Sequence, residues 1–274
     1  HLDELRPPGG ERAGLVEHNR ADRGQALQRV ALAEQDAHLR RPPRPHDDRD
    51  RRCEPHGARA GHDQHRYGVG EGKAERGVAT EGEPGEETVM LVVGPNYGLG
   101  NAALLSDGAG GWTALPGEGG HSSLAAKTER EWQVINGLRD LRGGVVRETA
   151  MSQQGFRDLW TILHALDDRT APDLSPAEIV DRARSGDPFA REAINLITLW
   201  LADMAADIAL IMSATSGIYL AGALMDVIGD AFDVDTFAAR FTDNPAFSGF
   251  LGRIPVWRTV VTDMELIGLA TLFD

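Results

Sequence analysis

The 274 residues are 41% hydrophobic and 26% charged, enough apolar material for one or two domains with a real core. Lys and Arg number 28 against 42 Asp and Glu, and the net charge of −14 excludes a general nucleic-acid or anionic-membrane binder. The single Cys53 excludes an internal disulfide, and with no charged-then-apolar leader at the start, a cytoplasmic location is expected.

Apolar residues are unevenly spread. All five Trp, all eight Phe and all six Met lie at or beyond Met90, as does every Ile. Residues 1–87 are instead rich in Arg, Ala, Gly, His, Pro, Asp and Glu, and cannot bury enough apolar surface to offset roughly 1–2 kcal/mol of backbone entropy per ordered residue. A disordered extension is the expectation, with one short helix around Gln25 to Leu39. His62 and His65 have the spacing of a metal pair, but without a scaffold or a zinc pattern around Cys53 a solvated tail is the better reading. The abrupt change of composition near residue 88 also fits an out-of-frame or misjoined segment.

From Val89 onward strands alternate with helices, the signature of an α/β domain. Val89 to Val93, Ala102 to Leu105 and Trp112 to Leu115 read as a β-meander. Glu129 to Leu141 places Trp132, Ile135 and Leu138 on one helical face, and Phe156, Leu159, Trp160, Leu163 and Leu166 repeat with helical period. Ser175-Pro176-Ala177-Glu178 is a capping box, opening a helix to about Ser185. Asp187-Pro188 starts another that ends near Met212. Its apolar stretch from Ala193 is interrupted by Asn195, Asp203 and Asp207, so it reads as a buried helix and not a membrane span. A strand follows at Ile218 to Leu220, then one at Pro255 to Thr262, and a last apolar helix at Leu266 to Leu272.

Three segments carry chemistry. Gly94-Pro95-Asn96-Tyr97-Gly98-Leu99-Gly100 is a glycine turn between strands, where peptide N–H groups can approach phosphate oxygens, although taken alone it is also a tight hairpin. Leu115-Pro116-Gly117-Glu118-Gly119-Gly120-His121, with Glu148 ahead of Met151-Ser152-Gln153-Gln154-Gly155, supplies two carboxylates that accept hydrogen bonds and an imidazole that can donate or accept. Taken singly, His121 is a loop histidine and Glu148 a surface charge. The third segment is Ile218-Tyr219-Leu220-Ala221-Gly222-Ala223.

In order and spacing these segments resemble the bacterial glucokinase family of the actin-like, hexokinase-like ATPase superfamily, over residues 88–274. The resemblance implies an α/β, ribonuclease H-like (actin-like ATPase) large domain that phosphorylates glucose with ATP and Mg2+, in the cytoplasm, within carbohydrate metabolism, as a homodimer. It makes Glu118, His121 and Glu148 the sugar-binding candidates. Gly94, Asn96, Tyr97, Gly98, Gly100, Gly222 and Ala223 become the nucleotide-binding candidates.

Departures from the family pattern set further expectations. Asn96-Tyr97-Gly98 stands where the family has Gly-Thr-Gly, so Tyr97 should either fill the phosphate path or swing into solvent. Gln153-Gln154 replaces a small pair, and Ala223 replaces a second glycine. Residues 1–88 contain neither an Asp-x-Gly-Gly-Thr loop nor the Asn-Asp pair whose Asp is the family's base, so no catalytic residue is assigned. The expected activity is impaired, and the alternative is a non-catalytic sugar-binding remnant. Limited proteolysis should trim the first 86 or so residues and spare 88–274; protease resistance with strong amide protection before residue 86 would overturn the composition argument.

Overall fold

The β-branched and apolar run at Val89 forms the middle of a six-stranded sheet. The computed structural model describes residues 75–77, 89–108 and 112–259. The helices expected at Gln25–Leu39 and Leu266–Leu272, the His62/His65 pair, Cys53, the extension apart from residues 75–77 and the end of the strand beyond Thr259 lie outside these residues. The strands are β1 (Glu75–Gly77), β2 (Val89–Pro95), β3 (Leu99–Ser106), β4 (Trp112–Gly117), β5 (Ile218–Leu220) and β6 (Val256–Thr259). Their order across the sheet is β1-β6-β5-β2-β3-β4.

β2, β3 and β4 form the expected antiparallel meander, with Gly94 opposite Gly100 and Asn101 opposite Gly117. β5 then inserts beside β2 in parallel, Val93 against Leu220, and β6 runs parallel to β5. β1 pairs antiparallel with β6, so it joins the sheet from within the segment that composition assigns to the extension. Because β2 is central, both of its faces are covered and its sequence is a continuous apolar run. Leu91 and Val93 enter one cluster with Ala103, Ile218 and Leu220, while Met90 and Val92 enter the other with Leu104 and Tyr219.

The first of those faces carries the helices. They are α1 (Glu129–Arg142), α2 (Arg147–Ala150), α3 (Gln153–Ala165), α4 (Pro176–Arg184), α5 (Pro188–Met212), α6 (Ala223–Ile228), α7 (Val234–Phe241) and α8 (Ser248–Leu251). The start signals act as expected. Ser175 and Glu178 exchange bonds, Ser175 N–H donating to Glu178 Oε2 at 2.8 Å, and those bonds hold the Glu178 carboxyl below its ordinary value. Asp187 Oδ1 accepts the Phe189 and Ala190 amides at 2.9 and 3.1 Å. α5 is long and apolar enough to cross a membrane, but Ala193, Ile197, Trp200, Leu201 and Met204 are all in the core, and α3, α4 and α7 pack around it.

One expected face is corrected. On α1 the buried residues are Glu131, Val134, Ile135 and Leu138, and Trp132 is exposed. The helix turns Glu131 inward because that carboxylate has partners there. It accepts the Lys127 amide at 3.0 Å, Trp200 Nε1–H at 3.2 Å and Arg240 Nη2–H at 3.0 Å. Arg240 also donates to Asp203, which Lys127 Nζ approaches to 2.9 Å. Burial works against the Arg240 charge, and the bonds and fields of Asp203 and Glu131 more than offset it, holding the guanidinium above its ordinary value. This cluster ties α1, α5 and α7 together.

Removing one partner from such a cluster leaves a buried charge uncompensated. Arg240→Ala should therefore cost on the order of 3 kcal/mol in urea unfolding. Arg157→Ala, which breaks an exposed pair with Asp173, should cost about 1 kcal/mol or less. Equal losses would mean that the cluster carries no special share of the stability.

Candidate functional site

The Gly-Glu-Gly-Gly-His turn is shaped by what lies beneath it. β4 ends at Gly117, and after Glu118 the chain makes one 3-10 turn over Gly119–His121. Asn101, buried in β3, accepts the Gly119 amide at 2.7 Å. A Cβ at Gly117 or Gly119 would lie 2.5 or 2.7 Å from the Asn101 amide group, and one at Gly120 would lie 2.2 Å from the Leu99 carbonyl oxygen. These glycines are present because the turn lies directly on β3. Asn101, which sequence reasoning missed, is what fixes it; a lone polar residue inside the apolar strand Leu99 to Leu105 was the available signal.

Glu118 and His121 both reach solvent, and His121 Nε2 is 4.0 Å from Glu118 Oε2. Glu148 arrives from another part of the chain. Ser123 and Val146 form an isolated bridge, and the Arg147 amide donates to Ser122 O at 3.0 Å, so α2 is fastened to the residues that follow His121. The Arg147 guanidinium adds bonds to Ser123 O and to Asp207 on α5. On the next residue, Glu148 Oε2 accepts the Leu99 amide at 2.9 Å. The three sugar candidates thus sit at one end of the sheet, around Leu99.

The nucleotide candidates lie on the adjoining residues. Gly94 and Gly100 face each other at the end of the β2–β3 ladder, and Asn96, Tyr97 and Gly98 form the turn. Asn96 N–H donates to Gly98 O at 2.7 Å. Tyr97 is 84% exposed, so of the two arrangements expected for its ring the outward one is found. The turn is braced from α3: the Gln153 amide donates to Asn96 O at 2.9 Å and Gln153 Nε2–H to Asn96 Oδ1 at 3.3 Å. Gln153 was read as a departure and not as a site residue.

Parallel pairing of β5 with β2 brings the third segment to the same place. Ala221 N–H donates to Val93 O at 3.0 Å, and Gly222 follows with φ +94° and ψ 153°. A Cβ there would meet the Pro95 carbonyl oxygen at 2.5 Å. The protein's own backbone therefore requires a glycine at this nucleotide-binding candidate. Ala223 is the half-buried first residue of α6.

A cavity of about 190 Å³ lies away from these groups, between Leu124, Lys127, Arg147, Trp200, Asp203 and Arg240. Its charged walls are the ion pairs already described, so it is a hollow within that cluster. Arg147, among its lining residues, is the neighbour of Glu148.

Residues 68–274 match the sequence profile of the Glucokinase family. A glucokinase of Nitrobacter hamburgensis is 39% identical over 182 residues, covering 66% of this chain and 57% of that protein. A glucokinase-like protein of Caulobacter vibrioides is 38% identical, covering 70% and 59%. The crystal structure of a glucokinase from an Antarctic psychrotroph superposes with a TM-score of 0.65 at 29% identity, over 72% of this chain and 61% of that one. The glucokinase of Balamuthia mandrillaris, solved in complex with glucose, shares the fold at a TM-score of 0.61 and 20% identity, over 72% and 57%. The chain therefore spans less than two thirds of the length of these relatives.

The contact at Gly222 makes a separable prediction. Gly222→Ala must accept a backbone region nearly confined to glycine and displace the Pro95 carbonyl, a loss of about 1–3 kcal/mol in urea unfolding. Gly143→Ala, at φ +77° with open space around it, carries only the conformational part and should lose less. Matching losses would show that the Pro95 contact yields freely.

Proposed function

The chain belongs to the glucokinase family, and from that premise we propose that it binds glucose and ATP for transfer of the terminal phosphoryl group to a sugar hydroxyl. The observation that carries this reading is the double use of Leu99. Its amide is held by Glu148 and its carbonyl lies under Gly120, while the same hairpin turns at Asn96–Gly98 beside Gly222. Glu148 and the turn that carries Glu118 and His121 are thereby held against Leu99, the residue that follows the Asn96–Gly98 turn, and phosphoryl transfer is governed by such positioning.

In this proposal Glu118, His121 and Glu148 hold the sugar. Glu148 has one oxygen engaged by Leu99, so it offers the other to a hydroxyl, and Glu118 with His121 approaches from the turn after β4 at the same end of the sheet. Gly94, Asn96, Tyr97, Gly98, Gly100, Gly222 and Ala223 line the nucleotide path. The outward Tyr97 ring leaves the turn's peptide groups open to an anion. Mg2+ is taken to arrive on the nucleotide phosphates, where it keeps part of its water shell.

In the transfer, the sugar oxygen bonds to the γ-phosphorus, the bond to the β–γ bridging oxygen breaks, and ADP leaves with that electron pair. The hydroxyl proton must pass to a base. No Asp-x-Gly-Gly-Thr sequence occurs in the 274 residues, and we assign no base within 88–274, the unit we take as the binding module. This polypeptide alone is proposed to bind without turnover, in the cytoplasm and as a homodimer. The second reading is a sugar-binding protein with no transfer role, which requires only Glu118, His121 and Glu148.

Calorimetry on the intact chain tests both. Glucose should bind, and Glu118→Gln and His121→Ala should each weaken it by about tenfold, with ATP affinity unmoved. ATP should bind separately, and a coupled assay for glucose 6-phosphate should read zero. No heat with glucose would remove the proposal, and glucose without ATP binding would favour the second reading.

A further inference from the structure

We propose that Asn96 and Gln153 form an amide latch that positions the phosphate-facing turn, making Gln153 a positioning residue for the polyphosphate end of the nucleotide; this rests on the reading of that hairpin given above. A three-residue turn carrying an 84% exposed tyrosine is a segment expected to move. This one is fixed at one point. Asn96 directs its amide to Gly98 O, its carbonyl to the Gln153 amide and its side-chain oxygen to Gln153 Nε2. Two bonds between one pair of residues set both the position and the rotation of the Asn96 peptide, as a single bond cannot.

The anchor beneath is rigid. Gln153 is the first residue of α3, whose N-cap Ser152 accepts the Gly155 amide at 3.1 Å and whose Phe156, Leu159 and Trp160 are buried. On the other side the Pro95 carbonyl rests against Gly222, and the Leu99 amide is held by Glu148. The turn is therefore clamped at both stems and at Asn96. What the clamp leaves over are the amides of Tyr97 and Gly98, which donate to no other described group. Two adjacent, oriented donors with their ordering already accomplished by the latch suit a phosphate oxygen, because immobilisation is not charged to binding.

The latch and its use are tested separately on the full chain. In hydrogen exchange, Asn96→Ala and Gln153→Ala should each speed exchange across residues 96–99, and the double variant should be no faster than either single one. Additive effects, or none, would overturn the latch whether or not nucleotide binds. In calorimetry with Mg-ATP and with AMP, each variant should lose about fivefold in ATP affinity, with AMP and glucose unchanged; equal losses for ATP and AMP would overturn the positioning role. Asn96→Asp keeps the oxygen that Gln153 meets, so exchange should stay slow, but its charge should still weaken ATP more than AMP. An unchanged ATP affinity in that variant would place the polyphosphate elsewhere. If the unmodified chain binds no ATP, the nucleotide reading fails, and the exchange data alone decide the latch.

Discussion

The backbone of Leu99 is the constraint from which the rest of the site follows. Its N–H donates to Glu148, and its carbonyl comes so close to Gly120 that no side chain fits between. Each contact brings in a different part of the chain. The first pulls the α2 segment onto the sheet, and the second seats the turn that carries Glu118 and His121. Register does the remaining work, since the β2–β3 ladder that ends at Pro95 and Leu99 also defines where the loop between them turns.

The helical layer is organised differently. There the connecting element is the Glu131–Arg240–Asp203 cluster, which joins the start of α1, the middle of α5 and the end of α7 through charged groups inside the protein. Hydrophobic packing alone would bring these helices together, but side chains that only exclude water specify direction weakly. Hydrogen-bonded charges with few alternatives narrow the arrangement. Arg147, bonded to Asp207 on α5 and to Ser123 beside the sugar candidates, carries that order to the sheet's edge.

Where local physics decides, the chain was readable. The meander, the α3 stripe from Phe156 to Leu163, the capping box at Ser175 and the Asp187-Pro188 start each depend on spacing or on a nearby polar atom, and each is found, while Leu166 lies past the end of α3 and is exposed. On α1, Ile135 and Leu138 face inward as expected, but Glu131 in place of Trp132 was not readable, because a carboxylate faces inward only when distant Trp200 and Arg240 are already there. β1 left no signal either: Glu-Arg-Gly has no apolar alternation, and only backbone pairing to β6 defines it as a strand. For the candidate site, the Gly-Glu-Gly-Gly-His motif marked the turn but not the reason for its glycines. The closeness of Asn101 and of the Leu99 carbonyl is a fact of tertiary packing, as is the meeting of Gln153 with Asn96.

The parallel neighbour of β2 has a consequence for how the molecule is made. The meander is synthesised early, yet Leu91 cannot meet Ile218 until α1 to α5 have all been translated. Throughout that interval one long edge of β2, among the most apolar strands of the protein, has its peptide groups unpaired, and such edges recruit other chains. Contacts this remote in sequence also form slowly, because the loop between them must first be closed. Nascent chains are thus most exposed to wrong partners before β5 emerges, and α5, the apolar helix made just ahead of it, is the element that must be in place to shelter them.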